Sequence, residues 1–153
     1  MKKLISTIAL LGAVVAGAAP AQAGDTRIML PIAGALAAND AQTRLGDSVK
    51  FYFGNQATPK VLKKLGADQT SLKSIAIARP NENACNWVFL SNLLKLQERA
   101  RELGANAVVN IVSNYDDFEN PSASEFECHV GPLMAGVAFK GEFVTIAEQP
   151  SGQ

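Results

Sequence analysis

Apolar and polar positions alternate with helical spacing most clearly between residues 81 and 104. Phe89, Leu93, Leu96, Ala100 and Leu103 recur every three or four residues and fall on one face, with Lys95, Gln97, Glu98, Arg99, Arg101 and Glu102 on the other side and in the last turns. The spacing predicts a long helix over Asn83–Leu103, with Asn81 or Asn83 as the N-cap and Gly104 as the stop. Trp87 and Leu94 flank the stripe, and ordinary core packing is expected for Trp87 over stacking on a cofactor. The run Ala107-Val108-Val109-Asn110-Ile111-Val112 is apolar, β-branched and too short for a helix, so it predicts a buried strand beneath that helix. Glu125 to Val130 alternates with the period of a strand, Leu133 to Phe139 is apolar and small, and Glu142 to Ile146 reads as a last strand. Gly136 and Gly141 there suggest close backbone approach or a turn.

The pattern is weaker before residue 81. Asp25 to Gly46 reads as one or two short helical pieces carried by Ile32, Leu36 and Leu45, with Asn39 as an N-cap and Gly46 as a stop. Val49–Phe53 is a strand candidate ended by Gly54-Asn55. Val61 to Ile77 suits a helical turn or a strand at its start and alternates like an edge strand at Ser74–Ile77, ahead of Pro80. Ser113 to Ser124, with Asp116, Asp117, Glu119, Asn120 and Pro121, is expected to be a surface loop. These elements predict one α+β (or α/β) domain, a long helix on a small, largely antiparallel sheet built mainly from the C-terminal half, with its best-defined core over 81–147.

The first residues change the address of the chain. Met1-Lys2-Lys3 is a short cationic start, Leu4 to Ala18 is apolar and small, and Ala21-Gln22-Ala23 has the small-x-small pattern of a signal-peptidase site. Cleavage is expected between Ala23 and Gly24, with export to the periplasm and no stable membrane anchor afterwards. Removing Met1–Ala23 from the 153 residues leaves 130, enough for one self-sufficient core. Two of the 14 basic residues leave as well, against 14 acids that stay. A slightly acidic domain argues against general affinity for nucleic acid.

Two cysteines in an oxidising compartment have one intramolecular pairing open to them. Cys85 and Cys128 would close a loop of 43 residues. The chain-entropy account gives such a bridge about 4 kcal/mol. A redox-active pair normally sits in Cys-x-x-Cys spacing, which is absent.

Ala100-Arg101-Glu102-Leu103-Gly104-Ala105-Asn106-Ala107-Val108-Val109-Asn110, followed by Glu127-Cys128-His129-Val130-Gly131-Pro132-Leu133-Met134-Ala135-Gly136-Val137-Ala138, resembles a family of small exported proteobacterial proteins often labelled "excinuclease ATPase subunit". More distantly, residues 83–140 are similar to the periplasmic domain of the Rcs envelope-stress sensor lipoprotein. That resemblance implies a small disulfide-bonded α/β unit working through protein contacts, although this chain lacks the lipid-bearing cysteine and the second disulfide of that family. The residues do not support the excinuclease label. Its ATPase needs Gly-x-x-x-x-Gly-Lys-Ser/Thr, and Gly131 to Gly136 continues into Val137-Ala138 with neither lysine nor hydroxyl.

Candidate chemistry is sparse. His129 is the sole histidine and adjoins Cys128, and neighbours on a strand point to opposite faces, so the two make no nucleophile and base pair. No Gly-x-Ser-x-Gly elbow occurs. The sharpest site candidate is the face Glu125, Glu127, His129, which a regular strand sets opposite Phe126, Cys128 and Val130. Two carboxylates and an imidazole suit a divalent metal, with Asp116 or Asp117 completing the shell. The competing reading is a solvated polar face. The expected function is therefore non-enzymatic, without a cofactor: an envelope interaction or structural module whose partner is unknown, with a metal or small-ligand binder as the rival.

Overall fold

The computed structural model describes residues 24–148, so the expected leader and its Ala23/Gly24 cleavage site fall at or outside the described residues. Seven strands and three helices follow in the order β1 (Thr26–Pro31), α1 (Ile32–Ala37), α2 (Ala41–Leu45), β2 (Lys50–Phe53), β3 (Val61–Ile75), α3 (Asn81–Leu103), β4 (Ala107–Tyr115), β5 (Phe118–Asn120), β6 (Glu125–Val130) and β7 (Met134–Ile146). The fold is α+β, one long helix on a single mixed sheet.

β7 organises the sheet. One of its edges carries β3 over nearly its whole length, from Met134 opposite Ile75 to Ile146 opposite Val61. The other edge is divided: β4 pairs from Ala107 to Ser113 against Val144 to Phe139, and β6 takes over at His129 and Val130 opposite Gly136 and Ala135. β1 then extends the β6 branch antiparallel, β5 continues β4, and β2 lies parallel to β4. All the other pairings are antiparallel.

The helix α3 begins at Asn81, two residues ahead of expectation. Pro80 occupies the N-cap position with no side-chain cap, so neither Asn81 nor Asn83 caps it. Gly104 ends it in the left-handed conformation at φ 75°, donating its N–H to the Ala100 and Arg101 carbonyls. Phe89, Leu93, Leu96 and Ala100 are fully buried against the sheet, and Leu103 packs at the margin. Phe53, Phe89, Phe126 and Phe139 form the centre of this layer, with ring centroids 4.6 Å apart for Phe89 and Phe126 and 5.5 Å for Phe89 and Phe139. Pairs of this kind add about 0.5–1.5 kcal/mol beyond the area they bury. Trp87 does not join the core; it is partly exposed, with the Arg44 guanidinium 5.0 Å from its ring centroid.

The Cys85–Cys128 disulfide lies within this layer, both residues fully buried and their Cα atoms 6.0 Å apart. It ties the first turns of α3 to β6.

Four features depart from the sequence-based expectation. Residues 26–31 form a strand where helix was expected, because β6 supplies six paired positions from Thr26 opposite Val130 to Pro31 opposite Glu125. The expected cap at Asn39 is displaced to Asp40, both residues having positive φ. Residues 61–75 form one long edge strand whose side chains are mostly exposed, which explains their weak apolar period. The expected loop after residue 112 is a hairpin: β4 runs on to Tyr115, Asp116 and Asp117 turn at φ 51° and 63°, and β5 returns. A two-residue turn with both φ positive matches the right-handed twist of its strands. The sheet thus draws β1, β2 and β3 from the N-terminal half, more than the sequence pattern implied.

Candidate functional site

The second face of the sheet, opposite α3, holds a small apolar cluster of Ala107, Val109, Val144 and Ile146 at one end. At the other end lies a polar group built on β6. Phe126, Cys128 and Val130 point into the helix-side core, and Glu127 and His129 point to the second face. Their surroundings differ from a solvated strand face. Glu127 is only 6 % exposed, because the β4–β5 hairpin and β1 cover it.

Each atom of the Glu127 carboxylate is engaged. Oε1 lies 2.6 Å from His129 Nε2, and Oε2 accepts from Asn120 Nδ2 at 2.9 Å, with Arg27 Nε 3.9 Å away. Its backbone N–H donates to Ser113 Oγ at 2.9 Å. Burial by itself would raise this carboxyl, yet the hydrogen bonds from His129 and Asn120 and the Arg27 charge hold it below the ordinary carboxylate range. Glu127 is therefore ionised at neutral pH, and His129 Nε2 carries the proton it donates.

The imidazole is fixed on its face as well. Tyr115 stacks on it with centroids 3.7 Å apart and planes within 4°. The Tyr115 hydroxyl donates to Asp25 Oδ2 at 3.2 Å; burial, and then the Asp25 carboxylate, push that hydroxyl above its ordinary range. Gly136 lies close against the stack: a Cβ there would sit 3.1 Å from Tyr115 Cε2 and 3.3 Å from Lys73 Cγ, and both side chains would have to give way slightly.

Beside the stack a cleft of about 310 Å³ is lined by Asp25, Lys73, Tyr115, His129, Pro132, Leu133 and Met134. Its rim is apolar: Leu133 is 60 % exposed and Met134 39 %, and Ile75 and Ile77 next to them 59 % and 55 %. β3 and β7 bring these four together, with Ile75 opposite Met134 and the Ala76 N–H bonded to the Leu133 carbonyl.

Glu127 and His129 thus meet as the sequence placed them, whereas Glu125 remains exposed at the far end of β6. Among the described residues no three His, Cys, Asp or Glu side chains form a group that could hold a metal ion. Asp116 and Asp117 line a separate cleft with Gln69, Ser71 and Asn114, and so do not complete a shell around His129. Asn120, Tyr115 and Arg27 are the members of the site that the sequence did not reveal. Only a recognised hairpin at Asp116-Asp117 would have pointed to the first two.

No family model and no curated protein matches the chain. Among solved structures it is similar to a protein of unknown function from Pediococcus pentosaceus ATCC 25745 that belongs to the DUF74 family. The two are 12 % identical with a TM-score of 0.44, over 67 % of this chain and 100 % of that one. A likeness of that size transfers neither fold nor role.

Proposed function

We propose that the chain is an exported, non-enzymatic module of the cell envelope that works by protein contact, in line with the resemblance of residues 83–140 to the Rcs sensor domain. One observation carries this reading: four large apolar side chains, Ile75, Ile77, Leu133 and Met134, stand exposed together at one corner of the sheet. Scattered exposed apolar residues are ordinary, but a contiguous group around a cleft marks a contact surface. The buried disulfide supports export, because such a bridge persists in an oxidising compartment. No helix among the described residues is long and apolar enough to cross a membrane. The engaged Glu127–His129 pair serves in this reading as the rigid floor beneath the corner.

Crosslinking in the periplasm of the native host followed by mass spectrometry tests the proposal. Reproducible recovery of the same envelope protein is expected, and its loss on Leu133→Asp should follow. Recovery of no reproducible partner contradicts the reading. Titration calorimetry with zinc, copper and calcium addresses the rival: heats at micromolar metal that vanish in His129→Ala would favour a binder instead.

A further inference from the structure

Among the described residues the outer edge of β3 is the longest strand edge without a neighbouring strand. β3 pairs with β7 alone, so among the described residues the other edge of a 15-residue strand has no strand beside it, and the Gln69 N–H within it donates to the neighbouring Asp68 Oδ1 at 2.8 Å. Folded proteins normally guard such an edge with bulges, charge or proline. The first part of β3 is guarded in that way, with register shifts at Val61/Lys63 and Lys64/Gly66 and two lysines. From Ala67 to Ile75 the guard is thinner: nine residues in unbroken register and no proline, with Asp68 and Lys73 the charged positions and the Asp68 carboxylate accepting from the Gln69 N–H. The outer edges of β1 and β2 are shorter, at six and four residues, and β1 ends in Pro31.

Clefts flank this stretch on both faces of the sheet. On the helix side a recess of about 90 Å³ runs between β3 and α3. Its charges are already matched, Lys95 with Glu98 and Arg99 with Glu102 and Asp68. On the second face a cleft of about 360 Å³ lies between Gln69, Ser71, Asn114, Asp116 and Asp117. Neither Asp116 nor Asp117 has a salt-bridge partner within 4.0 Å among the described residues, although Lys140 close by pairs with Glu119. The strand ends at Ile75, in the exposed apolar corner.

We propose that Ala67–Ile75 is the docking edge for one extended segment of a partner protein, which adds a strand to the sheet beside β3. Alternate side chains of an added strand enter the clefts on the two faces, while main-chain hydrogen bonds hold it. Charge complementarity specifies the segment: a lysine or arginine over Asp116 and Asp117, and an aliphatic residue about four to six positions away on the same face, against Ile75 and Met134. This inference rests on the contact-module reading and names the surface and the partner chemistry it lacked.

The test uses the protein expressed from its full-length sequence, isotope-labelled for NMR, and blocked nine-residue peptides of alternating valine and threonine with one central lysine. The lysine peptide is expected to shift the amide signals of Ala67–Ile75 and of Asp116 and Asp117. Its glutamate counterpart should bind about tenfold more weakly. Two further versions carry N-methyl groups on one or the other set of alternate amides, and one of them should lose binding while the other keeps it. Equal binding by both N-methylated peptides, or shifts lying away from β3, overturns the proposal. So does a dimer of this chain that protects the same amides without peptide. If the peptides fail while periplasmic crosslinking still recovers a partner, the docking edge is wrong and the contact-module reading stands; if no partner is recovered, that reading falls independently.

Discussion

At the scale of single residues, Glu127 shows what alternation alone conveys and what it leaves out. The period of two around Cys128 places Glu127 and His129 on one face and the disulfide on the other, which is the arrangement found. Period says nothing of what covers a face, and here Tyr115 and Asn120 come from a hairpin whose acidic turn reads as a loop. Because the folded-state carboxyl of Glu127 is held below its unfolded value, its contribution to stability is full above about pH 4.3 and lost as pH falls through the lowered folded value. Glu127→Gln should cost about 1–3 kcal/mol at pH 7, and the gap to the parent should narrow in acid. Urea melts of both proteins between pH 7 and pH 2.5 check this; parallel curves would contradict it. Gly141 gives a second residue-level test. A Cβ there would fall 2.7 Å from Val108 Cγ1, within a fully packed layer, so Gly141→Ala should lower stability by about 1–3 kcal/mol in a thermal melt.

At the scale of elements, legibility follows how locally each one is determined. The helix α3 carries its own period and stop, and its buried stripe is the one its spacing predicts, although the expected asparagine cap does not form. β1 does not: six residues with a terminal proline become a strand because β6 lies alongside. β3 is legible only in part, since an edge strand with both faces largely wet has little apolar rhythm to display. Asn92 and Gln97 of α3 are buried polar residues that bridge elements, Asn92 to the Val137 carbonyl of β7 and Gln97 to the Leu45 carbonyl of α2. No pattern in the helix announces them. The disulfide is the element-level prediction. It joins α3 to β6 across a loop of 43 residues, so the double variant Cys85→Ser/Cys128→Ser should melt on the order of 10 °C below the parent. The same shift is expected from a reductant, and an unchanged melting temperature would remove the bridge from the account of stability.

At the scale of the whole molecule, the helix side and the second face differ in construction. The helix side is a closed aromatic and aliphatic core pinned by the disulfide. The second face ends in a corner where a rigid polar group, a cleft and four exposed apolar side chains adjoin an unpaired edge. A scaffold of this kind presents a surface with little rearrangement, so function should reside in that corner and the β3 edge beside it, and be insensitive to changes on the part of α3 that faces away from β3. Site-specific photocrosslinking in living cells is the decisive test, with the reactive side chain placed in one strain at Leu133 and in another at Arg101, which is exposed on α3 and turned toward Ser48. A discrete adduct with one envelope protein is expected from Leu133 and none from Arg101. Adducts of equal yield from both positions, or none from either, would contradict this assignment.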